Sequence, residues 1–192
     1  QAQYAAIGIN GVNTLEEEGL LGDVLDTANR NGTATDAAAV DSVAKLQTLA
    51  DAVQNVMDGD ASLAELQSLG ITGVTAQNLL AVQAALAAAT DATQLNSLSG
   101  AQSIVTTATA SYDTAAAKIA AYAQDNGVDL ITNPAPVLAD YTALGVTGIG
   151  GTGQPTVAML SSALADTDIT GTLADTAAKV QTIVDAYQAI VQ

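Results

Sequence analysis

The sequence predicts an all-α fold, a tandem array of three small three-helix bundles, the middle one with a long last helix. Three observations predict it. A phrase built around two glycines occurs three times. Apolar residues at helical spacing follow each occurrence. A further amphipathic stretch near the chain's start is matched position for position near its end. Self-similarity of this kind is the signature of a repeat architecture, in which each copy is one supersecondary unit.

The phrase reads Tyr4-Ala5-Ala6-Ile7-Gly8-Ile9-Asn10-Gly11-Val12 in the first copy. In the second it is Leu66-Gln67-Ser68-Leu69-Gly70-Ile71-Thr72-Gly73-Val74, and in the third Tyr141-Thr142-Ala143-Leu144-Gly145-Val146-Thr147-Gly148-Ile149. Gly8, Gly70 and Gly145 each follow a short run that suits a helix. A glycine just past a helix end supplies the left-handed conformation without steric cost. The apolar residue after it (Ile9, Ile71, Val146) is placed to fold back on the last helical turn. Gly11, Gly73 and Gly148 then turn the chain into the next helix.

Second helices follow. In the first copy Thr14 and Glu17 have the spacing of a capping box, with Leu21, Val24 and Ala28 behind them as a stripe. In the second, Thr75 is the predicted N-cap and Leu79, Val82 and Leu86 form the stripe. In the third, Pro155 suits a first helical position, and Val157, Leu160 and Leu164 repeat the stripe at one constant spacing. Third helices close the copies. Residues 45–54 align with 179–188, and the apolar positions Leu46, Leu49, Val53, Val56 and Met57 map onto Val180, Ile183, Tyr187, Ile190 and Val191. In the middle copy Gln102, Ile104 and Val105 match Gln181, Ile183 and Val184. From about Ser97 to Gln124 only Gly100 interrupts, so one long helix is expected there, with a possible break near Tyr112. Asn126-Gly127 ends it, and Asn133-Pro134-Ala135-Pro136 cannot be helical through its prolines. The predicted modules are therefore residues 1–58, 59–132 and 133–192, each of about 60 residues, a size at which one core just suffices. Short loops imply up-down-up packing. With Tyr4 aligned to Tyr141, Gln1 falls at Leu138, so the first helix begins with almost no lead-in; a processed chain or a segment of a larger parent is expected.

Composition narrows the function. The hydrophobic fraction of 49% argues for a packed core rather than disorder. With no Phe and no Trp, Leu, Ile, Val and Ala must fill that core, so each module buries modest area. Four basic residues (Arg30, Lys45, Lys118, Lys179) stand against 20 acidic ones, a net charge of −16. Cations this sparse do not neutralise phosphates, so nucleic acid is not an expected partner. An anionic membrane surface repels the chain for the same reason, and no apolar run is long enough to cross a bilayer.

The order of short helix, Leu-Gly-Ile-Thr-Gly-Val turn, helix, Thr-rich turn and helix resembles the GA-like three-helix modules of bacterial surface proteins. It is especially similar to the Ala- and Asp-rich tandem versions of large adhesins and exported repeat proteins. Residues 63–74 and 137–149 carry the closest match. The resemblance implies an extracellular, cell-surface array whose modules act as spacers or contact surfaces. Its partners would be neighbouring modules, copies of itself, or a host or cell-surface protein. No binding residue is carried over, because the second helices here hold no aromatic residue and almost no Lys.

Catalytic chemistry finds little purchase. Neither His nor Cys is present, so Ser–His and Cys–His nucleophiles are excluded, and no enzymatic residues are assigned. Gly148-Ile149-Gly150-Gly151-Thr152-Gly153 is Gly-rich but lacks the Lys of a phosphate loop. Asp58-Gly59-Asp60-Ala61-Ser62 resembles the start of a calcium loop and is the one cofactor candidate. Leu69 stands where the bidentate Glu belongs, so the stretch reads first as a turn and N-cap for a helix at Leu63. Glu16-Glu17-Glu18 suits the first turn of a helix, where negative charge meets the positive dipole end. A non-enzymatic structural or adhesive repeat region is thus the expected function. A self-assembling filament or surface-layer subunit and a host-protein-binding module are the alternatives.

Overall fold

A computed structural model describes residues 2–30, 40–89 and 92–191, and the side chains of residues 28–30 and 92 are not part of that description. The predicted positions of Gln1 and of the Ala28 and Arg30 side chains fall outside it. The regular secondary structure of the described residues is helical throughout, without strands. Nine α-helices run in order among them: α1 Ala2–Ala6, α2 Leu15–Arg30, α3 Val43–Asp58, α4 Leu63–Ser68, α5 Leu79–Ala87, α6 Leu98–Gln124, α7 Leu138–Ala143, α8 Val157–Leu164 and α9 Ala177–Val191. Short 3-10 turns at Ala92–Gln94 and Gly171–Leu173 precede α6 and α9.

The helices pack into two units, residues 1–107 and 108–192, and the division falls inside α6. In the first unit α3 packs against α2, α4 and α5. Its core residues Leu49, Ala50, Ala52, Val53 and Val56 are buried, which a helix with a single apolar stripe would not need. Helical phase sorts them. Leu49, Ala52 and Val56 share a face with Asn55, whose amide donates to the Glu65 carboxylate at 2.7 Å, and with Gly59. Gly59 has φ 74°, and a Cβ there would lie 2.5 Å from the Ala87 Cβ, so the end of α3 meets the end of α5 backbone to backbone. The N-terminus of α6 is held from outside the helix. The Asp23 carboxylate on α2 accepts from the Leu98 N–H at 2.8 Å, satisfying one of the orphan donors of that terminus.

In the second unit, residues 108–124 of α6 bury Tyr112, Ala115, Ile119, Tyr122 and Ala123. The Tyr112 hydroxyl accepts from the Ala177 N–H at 3.3 Å, and Lys118 Nζ lies 2.6 Å from the Asp140 carboxylate. Gln124 accepts from the Gly171 N–H at 3.3 Å. A Cβ on Gly171 would meet the Ala120 carbonyl at 2.7 Å, so this crossing also requires glycine. Helix α6 passes Tyr112 without interruption; that side chain has a buried partner at Ala177, and no break is needed to seat it. The residues that follow end the helix with Asn126 and Gly127 at φ 52° and 66°.

Two expectations about helix starts are corrected. Thr75 is not the N-cap of α5, which begins at Leu79 with Asn78 at its N-cap, because the residues between them form a turn of their own. Pro155 does not occupy the first position of α8. Thr156 is the N-cap, its hydroxyl accepting from the Met159 N–H at 3.3 Å, and Pro155 sits before it, buried. The Pro155 carbonyl accepts from the Gly150 N–H at 2.9 Å, so the proline closes the Gly-rich loop instead of opening the helix.

Candidate functional site

The six glycines of the repeated phrase all adopt positive φ. Gly8 and Gly11 stand at 86° and 82°, Gly70 and Gly73 at 84° and 85°, Gly145 and Gly148 at 78° and 79°. At each first glycine the backbone closes a Schellman pair of bonds. Ile9 and Gly8 donate to the carbonyls of Tyr4 and Ala5, Ile71 and Gly70 to those of Leu66 and Gln67, and Val146 and Gly145 to those of Tyr141 and Thr142. Ile9, Ile71 and Val146 are buried, so the apolar residue after each glycine does fold inward.

Between the two glycines stands one residue whose backbone is gripped from a distant helix. Asn10 donates its N–H to Gln47 Oε1 at 2.8 Å and accepts from Gln47 Nε2 at 3.0 Å. Thr72 exchanges the same pair of bonds with Gln102 at 2.9 and 3.1 Å, and Thr147 with Gln181 at 3.0 and 3.2 Å. A primary amide is the smallest side chain that offers a donor and an acceptor side by side, which is what one peptide unit presents. Each glutamine is steadied from one turn further along its helix, by Asp51, Thr106 and Asp185. Gln54 and Gln188, one turn beyond those, put their Oε1 3.0 and 3.1 Å from where a Cβ on Gly11 and Gly148 would stand.

Sequence reasoning aligned Gln47 and Gln102 with Gln181 but gave them no task. The signal was present: a glutamine kept in register beside the apolar stripe. Its meaning required the turn to be opposite, which pattern alone does not show.

Helix starts near these turns carry carboxylates. Glu17 accepts from the N–H groups of Asn13 and Thr14 at 2.6 and 2.8 Å, while its own N–H donates to Thr14 Oγ1 at 3.1 Å. This is the reciprocal box expected at Thr14 and Glu17. Thr75 and Asn78 exchange the same pair of bonds, but in the turn that precedes α5 and not at its first residue. At α4, Ser62 and Glu65 form another box. The hydroxyl and backbone N–H of Ser62, helped less by Asn55, hold the Glu65 carboxyl below its usual range against a small opposing effect of burial. The stretch compared with a calcium loop is therefore a helix end, at Asp58 and Gly59, followed by this cap; Asp60 donates its backbone N–H to the Asn55 carbonyl at 2.8 Å. Among the described residues no three His, Cys, Asp or Glu side chains converge so as to hold a metal ion.

The lysines are held by carboxylates. Lys45 pairs with Asp41 at 2.8 Å, Lys118 with Asp140 at 2.6 Å and Lys179 with Asp175 at 2.6 Å. Tyr141 is fully buried, and its hydroxyl has no partner in hydrogen-bond geometry. Burial pushes this phenol far above its ordinary range, a shift that Ser161 opposes only in part. In the second unit Ile169, Ile183, Ala186 and Tyr187 line an open groove of about 380 Å³ with Asp166 and Asp168 at its rim. Among the described residues no helix is long and apolar enough to cross a membrane.

No family model, curated protein or solved structure matches this chain.

Proposed function

We propose that this chain is a non-enzymatic structural or adhesive repeat region of a bacterial cell-surface or extracellular protein. Three helical modules follow one another in it, and the helix that ends one module opens the next. The observation that carries this reading is the glutamine clamp, made three times on the residue between the two glycines of a turn. Each clamp joins the first turn of a module to its last helix: α3 for the first, the N-terminal part of α6 for the second, α9 for the third. Helix sharing explains why α3 is apolar on two faces and why the two packing units divide within α6. The resemblance of the turn phrases to GA-like surface modules and the acidic composition support the extracellular setting.

Two measurements test the proposal. In the substitution Gln102→Ala, amide exchange is expected to accelerate at residues 70–74 and to stay unchanged at 8–12 and 145–149. Uniform acceleration across all three turns means that they do not belong to separate modules. Antibodies to the purified chain are expected to label intact producing cells or their medium, and labelling only after permeabilisation overturns the surface assignment.

A further inference from the structure

The last helix and the first turn of the chain each leave uncovered a surface that the same elements cover elsewhere in the molecule. Ile7, Leu69 and Leu144 occupy one position of the repeated phrase. Leu69 and Leu144 are 2% and 0% exposed, whereas Ile7 is 51% exposed. Tyr4 is only partly covered, while its counterparts Leu66 and Tyr141 are at 0%. Among the described residues, turns two and three have a preceding helix against them and turn one does not. Helix α3 packs on α4 and α5, and the C-terminal part of α6 is tied to α7 through Lys118 and Asp140.

The complementary face lies on α9. Leu49, Ala52 and Val56 form the face of α3 turned to α4 and α5, and all three are buried. Their counterparts on α9 are Ile183, Ala186 and Ile190. Ile183 is half-buried, Ala186 is exposed, and Ile190 is 75% exposed. Ile183 and Ala186 also line the open apolar groove. The inward face of α9, with Ala177, Val180 and Val184, is buried as in any closing helix. An apolar second face on a closing helix has one use in this molecule, which is to open the next module.

We infer that α9 of one chain docks on α1 and α2 of a second copy of the same chain, in the place that α3 takes on α4 and α5. The occupant follows from continuity with an interface already made inside the chain between matching residues. The contact joins two different surfaces, so it is heterologous and propagates head to tail instead of closing as a dimer. This inference rests on the module reading proposed above, but not on the cellular location.

The test uses the full 192-residue chain, studied by analytical ultracentrifugation over a wide concentration range. Salt of about 0.5 M is added to screen the repulsion between acidic copies. The wild type is expected to form a concentration-dependent ladder of oligomers. Ile7→Asp and Ile190→Asp each remove one side of the contact, and each variant alone is expected to associate at least about tenfold more weakly. Both residues are exposed, and unchanged helical circular dichroism verifies the fold; if either Asp variant loses helix, Ser replaces Asp at that position. An equimolar mixture of the two variants is expected to regain one-to-one heterodimers, because one retains an intact α9 face and the other an intact Tyr4–Ile7 face. A monomeric wild type at every concentration overturns the inference. So does association that survives both substitutions, or a mixture that stays monomeric. A monomeric wild type combined with the localised exchange response of Gln102→Ala leaves the module reading standing and removes only the docking.

Discussion

Gly19 and Gly22 lie one turn apart on α2, yet their surroundings differ. A Cβ on Gly19 would stand 2.6 Å from the Asn96 carbonyl oxygen, while one on Gly22 meets nothing within 4 Å. Neither needs a left-handed backbone, so the contrast isolates the effect of space. Gly22→Ala is expected to raise stability by about 0.5–1 kcal/mol, since alanine loses less backbone entropy on becoming helical. Gly19→Ala is expected to lower it by about 1–3 kcal/mol, because backbone must move to admit the methyl group. Urea denaturation of the two variants beside the wild type measures both. Tyr141 offers a second case. Its hydroxyl is buried without a partner, a cost that the ring's packing offsets. Tyr141→Phe removes the unsatisfied atom and keeps the ring, so the variant is expected to be as stable as the wild type or up to about 1 kcal/mol more stable. A loss larger than about 1 kcal/mol in the same experiment identifies a partner for the hydroxyl. At this scale the sequence was informative wherever the backbone demanded one residue type. Gly8, Gly70 and Gly145 could be read as helix stops because few other residues tolerate φ near 80°. Gly19 could not be read, because its reason lies on a loop distant in sequence.

The helices owe their limits to caps more than to propensity. Helix α4 has only six residues and could not stand alone, yet it is bounded by the Ser62–Glu65 box and by the Schellman turn at Gly70. The Glu65 carboxyl is held below its usual range in the folded chain. A depressed carboxylate contributes stability above its unfolded value and loses it as pH falls through the folded value. Glu65→Ala is therefore expected to cost about 1 kcal/mol at pH 7, and the gap from wild type is expected to close as the medium is acidified through the carboxylate range. Thermal melts of both proteins along a pH series measure this; a gap independent of pH contradicts it. Element positions were largely legible, since caps and stripes are local. The expected start at Pro155 lies two residues ahead of the observed one at Val157, because two local rules competed. A proline suits a first helical position, but Thr156 supplies a side-chain cap and proline supplies none.

Across the whole molecule the charge is −16, with lysines already engaged by neighbouring carboxylates. Self-repulsion of this kind opposes compaction and is screened by salt. The melting temperature is expected to rise by about 2–4 °C between low salt and about 0.5 M salt, the change that about 1 kcal/mol produces in a chain of this size. An unchanged or falling value shows that paired charges outweigh the repulsion. The sequence by itself determined the helical class, the three glycine turns, most helix starts and the exclusion of His- and Cys-based chemistry. Each of these follows from a residue's own conformational limits or from neighbours within one or two turns. Only the tertiary structure decided what the glutamines grip, that α3 is buried on two faces, and that Ile7 and Ile190 are left open where their counterparts are covered. A hydrophobic period shows that a helix face is apolar, but the surface that covers that face is supplied by residues far along the chain.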